Sequence, residues 1–160
     1  MRRPLLLLSI LAVTGCGGAA HSSATSTNTA APPGPGTTLY AGGDWAVVLD
    51  GHDATAFHRV AGTWNPDTSG AVKIRILGPG RVAPRLPQVA AELSARKPLV
   101  ESGMWVDGKE LPAKGGGLTP TRGTIYGAPG APLAKGTHVA VAYGRTAEHG
   151  TAVGCSFRVK

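Results

Sequence analysis

Two thiols and five imidazoles carry most of the chemistry open to this 160-residue chain. Cys16 stands at the end of an apolar run, directly after the small residue Gly15, where a thiol is placed for modification rather than for packing. Cys155 instead alternates with Val153, Phe157 and Val159, the period of a half-buried strand. Its sulfur is therefore expected on the inward face, with the thiolate disfavoured by desolvation. The histidines are His21, His52, His58, His138 and His149. His52 and Asp53 with His58 have the types for two metal ligands, or for a base and its orienting acid. They follow Asp50-Gly51, however, and read as a turn with polar side chains. The sequence holds no Gly-x-Ser-x-Gly elbow, phosphate-cradling glycine loop or His-Glu-x-x-His helix. Gly78-Pro79-Gly80 and Gly115-Gly116-Gly117 read as loops, and Trp45, Trp64 and Trp105 read as core rather than as a sugar-binding face.

The chain opens on Arg2 and Arg3, runs apolar from 5 to 13 and reaches Val13-Thr14-Gly15-Cys16. That is the order of an export signal, and the run is far short of the roughly 20 residues that span a bilayer. The four residues resemble a bacterial lipobox. The resemblance implies a lipoprotein: the Cys16 thiol takes a diacylglyceryl group, cleavage removes residues 1–15, and the acyl chains hold the mature protein on the extracytoplasmic face of the cell membrane. Loss of Arg2 and Arg3 leaves 14 basic against 9 acidic residues, a net charge of +5. These bases spread from Arg59 to Lys160 with acids among them, which predicts a solvated surface weakly attractive to anionic polymers or headgroups and no nucleic-acid partner. With Cys16 lipidated, Cys155 has no disulfide partner. Residues 16–38 are the lipidated cysteine and then Gly, Ala, Ser, Thr, Pro and Asn with one histidine. Such a segment buries too little apolar surface to offset its ordering entropy and is predicted to be a tether.

All eight aromatic residues fall in 39–160, a length suited to one domain with a core. Short β-prone runs at 44–49, 54–60, 71–77, 89–94, 100–106, 123–126, 137–143 and 152–159 alternate with turn residues and predict an all-β sandwich. Residues 88–96 are also compatible with a short helix, since Ala, Glu and Leu favour one. Asp107-Gly108 reads as a turn that tolerates positive φ, with Lys109-Glu110-Leu111 leading out of it.

Three stretches in order, Trp105-Val106-Asp107-Gly108-Lys109-Glu110-Leu111, Pro132-Leu133-Ala134-Lys135-Gly136-Thr137-His138 and Ser156-Phe157-Arg158-Val159, resemble a bacterial immunoglobulin-like domain over about 87–160. The resemblance implies an immunoglobulin-like sandwich whose motifs are structural. It leaves residues 39–86 open between extra strands of that sandwich and a small second sheet. The function expected is a non-enzymatic, lipid-anchored cell-envelope protein that binds another envelope protein or a glycan, without a cofactor. A second similarity is to the periplasmic copper carriers of copper-resistance systems, through Gly136-Thr137-His138, Glu148-His149-Gly150 and Phe157-Arg158-Val159. It implies His138 and His149 as imidazole ligands of copper(II). Those carriers also use an amino-terminal histidine, which a lipidated Cys16 does not supply, and the mature chain keeps one methionine, Met104.

Overall fold

Residues 37–66 alternate short apolar runs with turn pairs, and each pair closes a two-residue hairpin. β1 (Thr37–Gly42), β2 (Trp45–Asp50), β3 (Asp53–Val60) and β4 (Thr63–Pro66) pair antiparallel in chain order. The pair Ala61-Gly62 takes positive φ at both residues, the backbone twist that suits a tight hairpin. These coordinates are a computed structural model that describes residues 35–160. Cys16, residues 1–15 and His21 lie outside the described residues. The tether predicted for 16–38 overlaps β1, which begins at Thr37.

The remaining strands are β5 (Val72–Gly78), β6 (Val82–Ala83), β7 (Val89–Ala95), β8 (Glu101–Val106), β9 (Lys109–Glu110), β10 (Lys114–Thr119), β11 (Arg122–Gly127), β12 (Gly136–Arg145) and β13 (Gly150–Val159). They form two further sheets, β10-β11-β7-β5 and β6-β13-β12-β8-β9. Every described element is thus a strand, and the fold is an all-β sandwich. Read as immunoglobulin strands A, B, E, D facing G, F, C and C′, the orders β5-β7-β11-β10 and β13-β12-β8-β9 match that arrangement strand for strand. The matching part therefore starts at Val72, earlier than the 87 predicted, and residues 37–66 are a separate four-stranded sheet.

The middle sheet is covered on both faces. Met104, Val106, Ala140, Ala142, Phe157 and Val159 pack against Ala91, Leu93 and Ile125 of the β5–β7–β11–β10 sheet. Trp105, Val141 and Tyr143 point the other way, onto Val47 and Ala56 of the meander. This double cover explains why Ala140, Val141, Ala142, Tyr143 and Gly144 are all buried, where a sheet with one wet face would alternate. In an antibody domain the strand-C tryptophan points into the core between the two sheets. Here Trp105 points out of it, and Gly103 on the same face leaves room, since a Cβ there would lie 2.5 Å from the indole ring.

The strand expected at 89–94 stands against its helical alternative: β7 is a central strand, paired with β5 on one side and β11 on the other. Other expectations change. Gly115 and Gly116 are not loop but edge strand β10, opposite Ile125 and Thr124. Cys155 is half-exposed rather than buried. Beside β13 the short β6 reaches only Arg158 and Val159, so the sheet margin is open at Cys155, while Phe157 two residues on is 2 % exposed.

Candidate functional site

A cleft of about 680 Å³ lies at one end of the sandwich, lined by Ser69, Lys73, Ser94, Arg96, Lys97 and His149 among others. Three connections build it. Asp67 fixes the first, residues 67–71: its carboxylate accepts the Ser69 N–H at 2.9 Å and the Gly150 N–H at 2.9 Å, and Ser69 Oγ accepts the Ala71 N–H at 3.3 Å. Burial pushes the Asp67 carboxyl up, but the Ser69 and Gly150 donors and His149 outweigh it and hold the group below its ordinary range. The second connection, β12 to β13, turns on Thr146. Its Oγ accepts the N–H groups of Glu148 and His149 at 3.3 and 3.0 Å, and its own N–H donates to the His149 carbonyl at 2.8 Å. The third, β7 to β8, carries Arg96 and Lys97, and Lys97 Nζ lies 2.6 Å from both carboxylate oxygens of Glu148. In immunoglobulin terms these last two are the F–G and B–C loops, which in variable domains sit together at the recognition end.

The cleft opens onto the outer face of β5, β7 and β11, where Lys73 and Ser94 also line a shallower groove of about 350 Å³ with Arg75, Glu92 and Arg122. Glu92 is saturated there: Arg75 donates to it at 2.6 Å and Arg122 bonds its other oxygen, and the two guanidiniums hold its carboxyl below the usual range. Among the described residues Lys73 and Arg96 have no ion-pair partner. The site is strongly cationic. Residues 71–97 hold six bases and one acid, while 35–70 hold four acids and one base. The bases that the sequence spreads among acids are brought together here: Lys73 and Arg75 of β5, Arg96 and Lys97 after β7 and Arg122 of β11 share this end and face, against Glu92 and Glu148. The charge step at about residue 70 was the signal available for it.

The candidate residues read from the sequence do not converge. His138 pairs with Phe157 near one end of β12 and β13, and His149 precedes Phe157 by eight residues, roughly 26 Å along the strand. His138 is also spoken for. Its Nδ1 lies 2.6 Å from an Asp107 carboxylate oxygen and its Nε2 2.8 Å from the Ala134 carbonyl. With an acceptor at each nitrogen the ring satisfies both contacts only when doubly protonated, and in that form it has no lone pair to offer a metal. The Asp107 carboxylate raises its pKa, against burial. Asp107 is the turn residue, at φ 49°, and its other oxygen accepts the Val139 N–H at 2.9 Å. His149 pairs instead with Asp67 at 3.3 Å. His52 and Asp53 are exposed turn residues 3.8 Å apart, and His58 stacks flat on Trp45 at 4.2 Å near the far end of β3. Trp45 and Trp105 are core, and Trp64 lies beneath the Arg59 guanidinium.

One polar cluster had no linear signal. Tyr40 of β1 donates to Glu101 at 2.7 Å, and Arg145 donates to the other Glu101 oxygen at 2.5 Å and lies over Trp45. The partners are 61 and 44 residues apart. Burial and the Glu101 carboxylate push the Tyr40 phenol up to about 12, and burial raises Tyr143 as well, so neither serves as a base near neutral pH. This cluster ties the meander to the middle sheet. Among the described residues no group of three or more His, Cys, Asp or Glu is placed to hold a metal ion. No protein-family model matches the chain, and a search of curated proteins finds no match.

Proposed function

We propose that this chain is a lipid-anchored cell-envelope protein whose immunoglobulin-like sandwich binds another envelope component, without chemistry of its own, through the cleft between its β7–β8 and β12–β13 loops. The observation that carries this reading is the pair of unpartnered cations, Lys73 and Arg96, in a concavity built by the loops that variable domains use for recognition. Loops on a rigid sandwich present side chains without requiring catalysis. Anchoring is supported by Val13-Thr14-Gly15-Cys16 at the end of the apolar run.

Two measurements on cells making the full chain test it. The mature protein should begin at an acylated Cys16 by mass spectrometry and fractionate with membranes, and Cys16→Ser should abolish both. Cross-linking in those cells should join the protein to an envelope component, and the double variant Lys73→Glu, Arg96→Glu should lose that product while folding normally. Normal processing and membrane partition of Cys16→Ser would overturn the anchor, and unchanged cross-linking of the double variant would overturn the cleft.

A further inference from the structure

Resting on that reading, we infer that the cleft and the groove continuing from it bind a linear acidic polysaccharide, with Lys73, Arg75, Arg96 and Arg122 meeting its anionic groups and Tyr126 stacking on a sugar ring.

The placement follows from strand alternation. In β5 and β7, Val72, Ala91 and Leu93 point inward and are buried, so Lys73, Arg75, Glu92 and Ser94 point out. In β11, Gly123 and Ile125 point inward and Arg122, Thr124 and Tyr126 out. Register then sets these side chains in rows: Lys73, Ser94 and Arg122 lie side by side, and Arg75, Glu92 and Thr124 form the next row. Neighbouring strands are about 4.8 Å apart and successive rows about 6.6 Å. Arg96 extends the series into the cleft on the parity of Glu92 and Ser94. The cations thus flank a track over β7, with Lys73 and Arg75 about 6.6 Å apart on β5 and Arg122 across from them on β11, and the hydroxyls of Ser94 and Thr124 lie among them.

Two features favour a glycan over other polyanions. The first is shape: Lys73 and Arg96 sit within a concavity walled by 67–71 and 146–149, which a strand-like polymer enters and a flat bilayer does not. The second is Tyr126, half-buried on the same face and opposite Lys114 on the edge strand. A Cβ at Gly116 would stand 3.3 Å from its Cε1, so glycine lets the phenol ring lie against the sheet beside a cation. An aromatic face with charge and hydroxyls in line suits a sugar that is apolar on one face and anionic at its edge. The other face of the middle sheet offers less surface, since the meander packs onto Trp105, Val141 and Tyr143 there.

The test uses the full chain carrying Cys16→Ser, which reads the groove free of any acyl chain. Its failure would leave the anchoring reading standing, and a failure of acylation would leave the groove standing. Probes are polygalacturonate, the same polymer fully methyl-esterified, polyglutamate, and vesicles of phosphatidylglycerol with phosphatidylcholine. Polygalacturonate should bind, with affinity falling steeply as salt rises, and the ester, polyglutamate and vesicles should each bind at least about tenfold more weakly, the equivalent of about 1.4 kcal/mol. Lys73→Glu with Arg96→Glu should weaken polygalacturonate roughly tenfold or more, while Arg158→Glu, the same kind of charge change on the opposite face of the molecule, should not. Tyr126→Ala should weaken polygalacturonate severalfold and leave residual polyglutamate binding unchanged, with thermal melts confirming that each variant is folded. Binding of polyglutamate or vesicles as tight as that of polygalacturonate, or charge variants at the cleft no weaker than Arg158→Glu, would overturn the inference.

Discussion

His138 shows how one buried polar side chain couples folding to pH. Both ring nitrogens meet oxygens, Asp107 on one side and the Ala134 carbonyl on the other, and Phe157 lies against the ring at 5.6 Å. The folded state therefore holds the ring's proton to higher pH than the unfolded chain, whose histidine titrates near 6.5. Its contribution is complete below about 6.5 and is lost as pH rises through the raised folded value, at no more than about 1.4 kcal/mol per pH unit. The melting temperature should thus fall as pH is raised above about 6.5, and His138→Gln should flatten that slope. A slope unchanged in the variant would assign it to another group. Two residues of β13 make a second prediction at this scale. Phe157→Ala should cost roughly 3–5 kcal/mol, and Arg158→Ala, exposed on the opposite face, should cost little. Cys155 should react with a thiol reagent in the native protein, at a rate unaffected by partial unfolding, because its half-exposed sulfur makes only a 3.8 Å contact with the Ser156 carbonyl. Labelling that requires denaturant would contradict this placement. The alternation of Val153, Cys155, Phe157 and Val159 fixed the strand and its inward side correctly, but a period of two says which way a side chain points and not how far its cover extends.

Elements were legible in the chain where one face is apolar and the other wet. β13 and β8 followed from that alternation, and the Asp107-Gly108 turn from its residue types. β1, β4, β6 and glycine-rich β10 were missed because edge strands are made by a neighbour's pairing groups rather than by their own propensity. The third layer was left open between extra strands of the sandwich and a small second sheet for a related reason. A strand buried on both faces reads as a continuous small apolar run, and nothing local says whether the second cover is a sheet of the same chain. Gly154 records that cover in one residue. A Cβ there would run into the backbone carbonyl of His52, so the β2–β3 turn rests directly on β13. Gly154→Val should push the turn off, costing about 1–3 kcal/mol and speeding hydrogen exchange at residues 50–54. Gly130→Ala, with open space around it, should do neither. Equal melts for the two variants would mean that the turn is not seated on the strand. The cleft was invisible at this scale, since Lys73 comes from β5 and Arg96 and His149 from two separate connections that only the sheet topology brings together.

At the scale of the molecule the meander decides which surfaces are free. In the sandwich the sheet that contains strands C, F and G turns one face to the core and one face away from it. Here β1–β4 cover that face, burying Val141, Trp105 and Tyr143 at 0, 3 and 1 % exposure and clamping its margin through Tyr40, Glu101 and Arg145. The meander carries three acids against one base, while the face of β5, β7 and β11 carries the cations, so the side left open is the electropositive one. Deleting residues 37–66 should strip this cover and expose an aromatic patch of a few hundred Å², larger than single scattered apolar residues and large enough to associate. The shortened chain should then sediment as a dimer or larger species, bind a hydrophobic dye and melt lower than the whole chain. Glu101 and Arg145 would remain paired on the uncovered sheet, so the added mutation Trp105→Lys should restore the monomer by placing a charge where the patch was. A shortened chain that stays monomeric and melts with the whole one would show that residues 37–66 ride on the sandwich without contributing to it. The electropositive face would then lose its standing as the one sheet surface left for a partner.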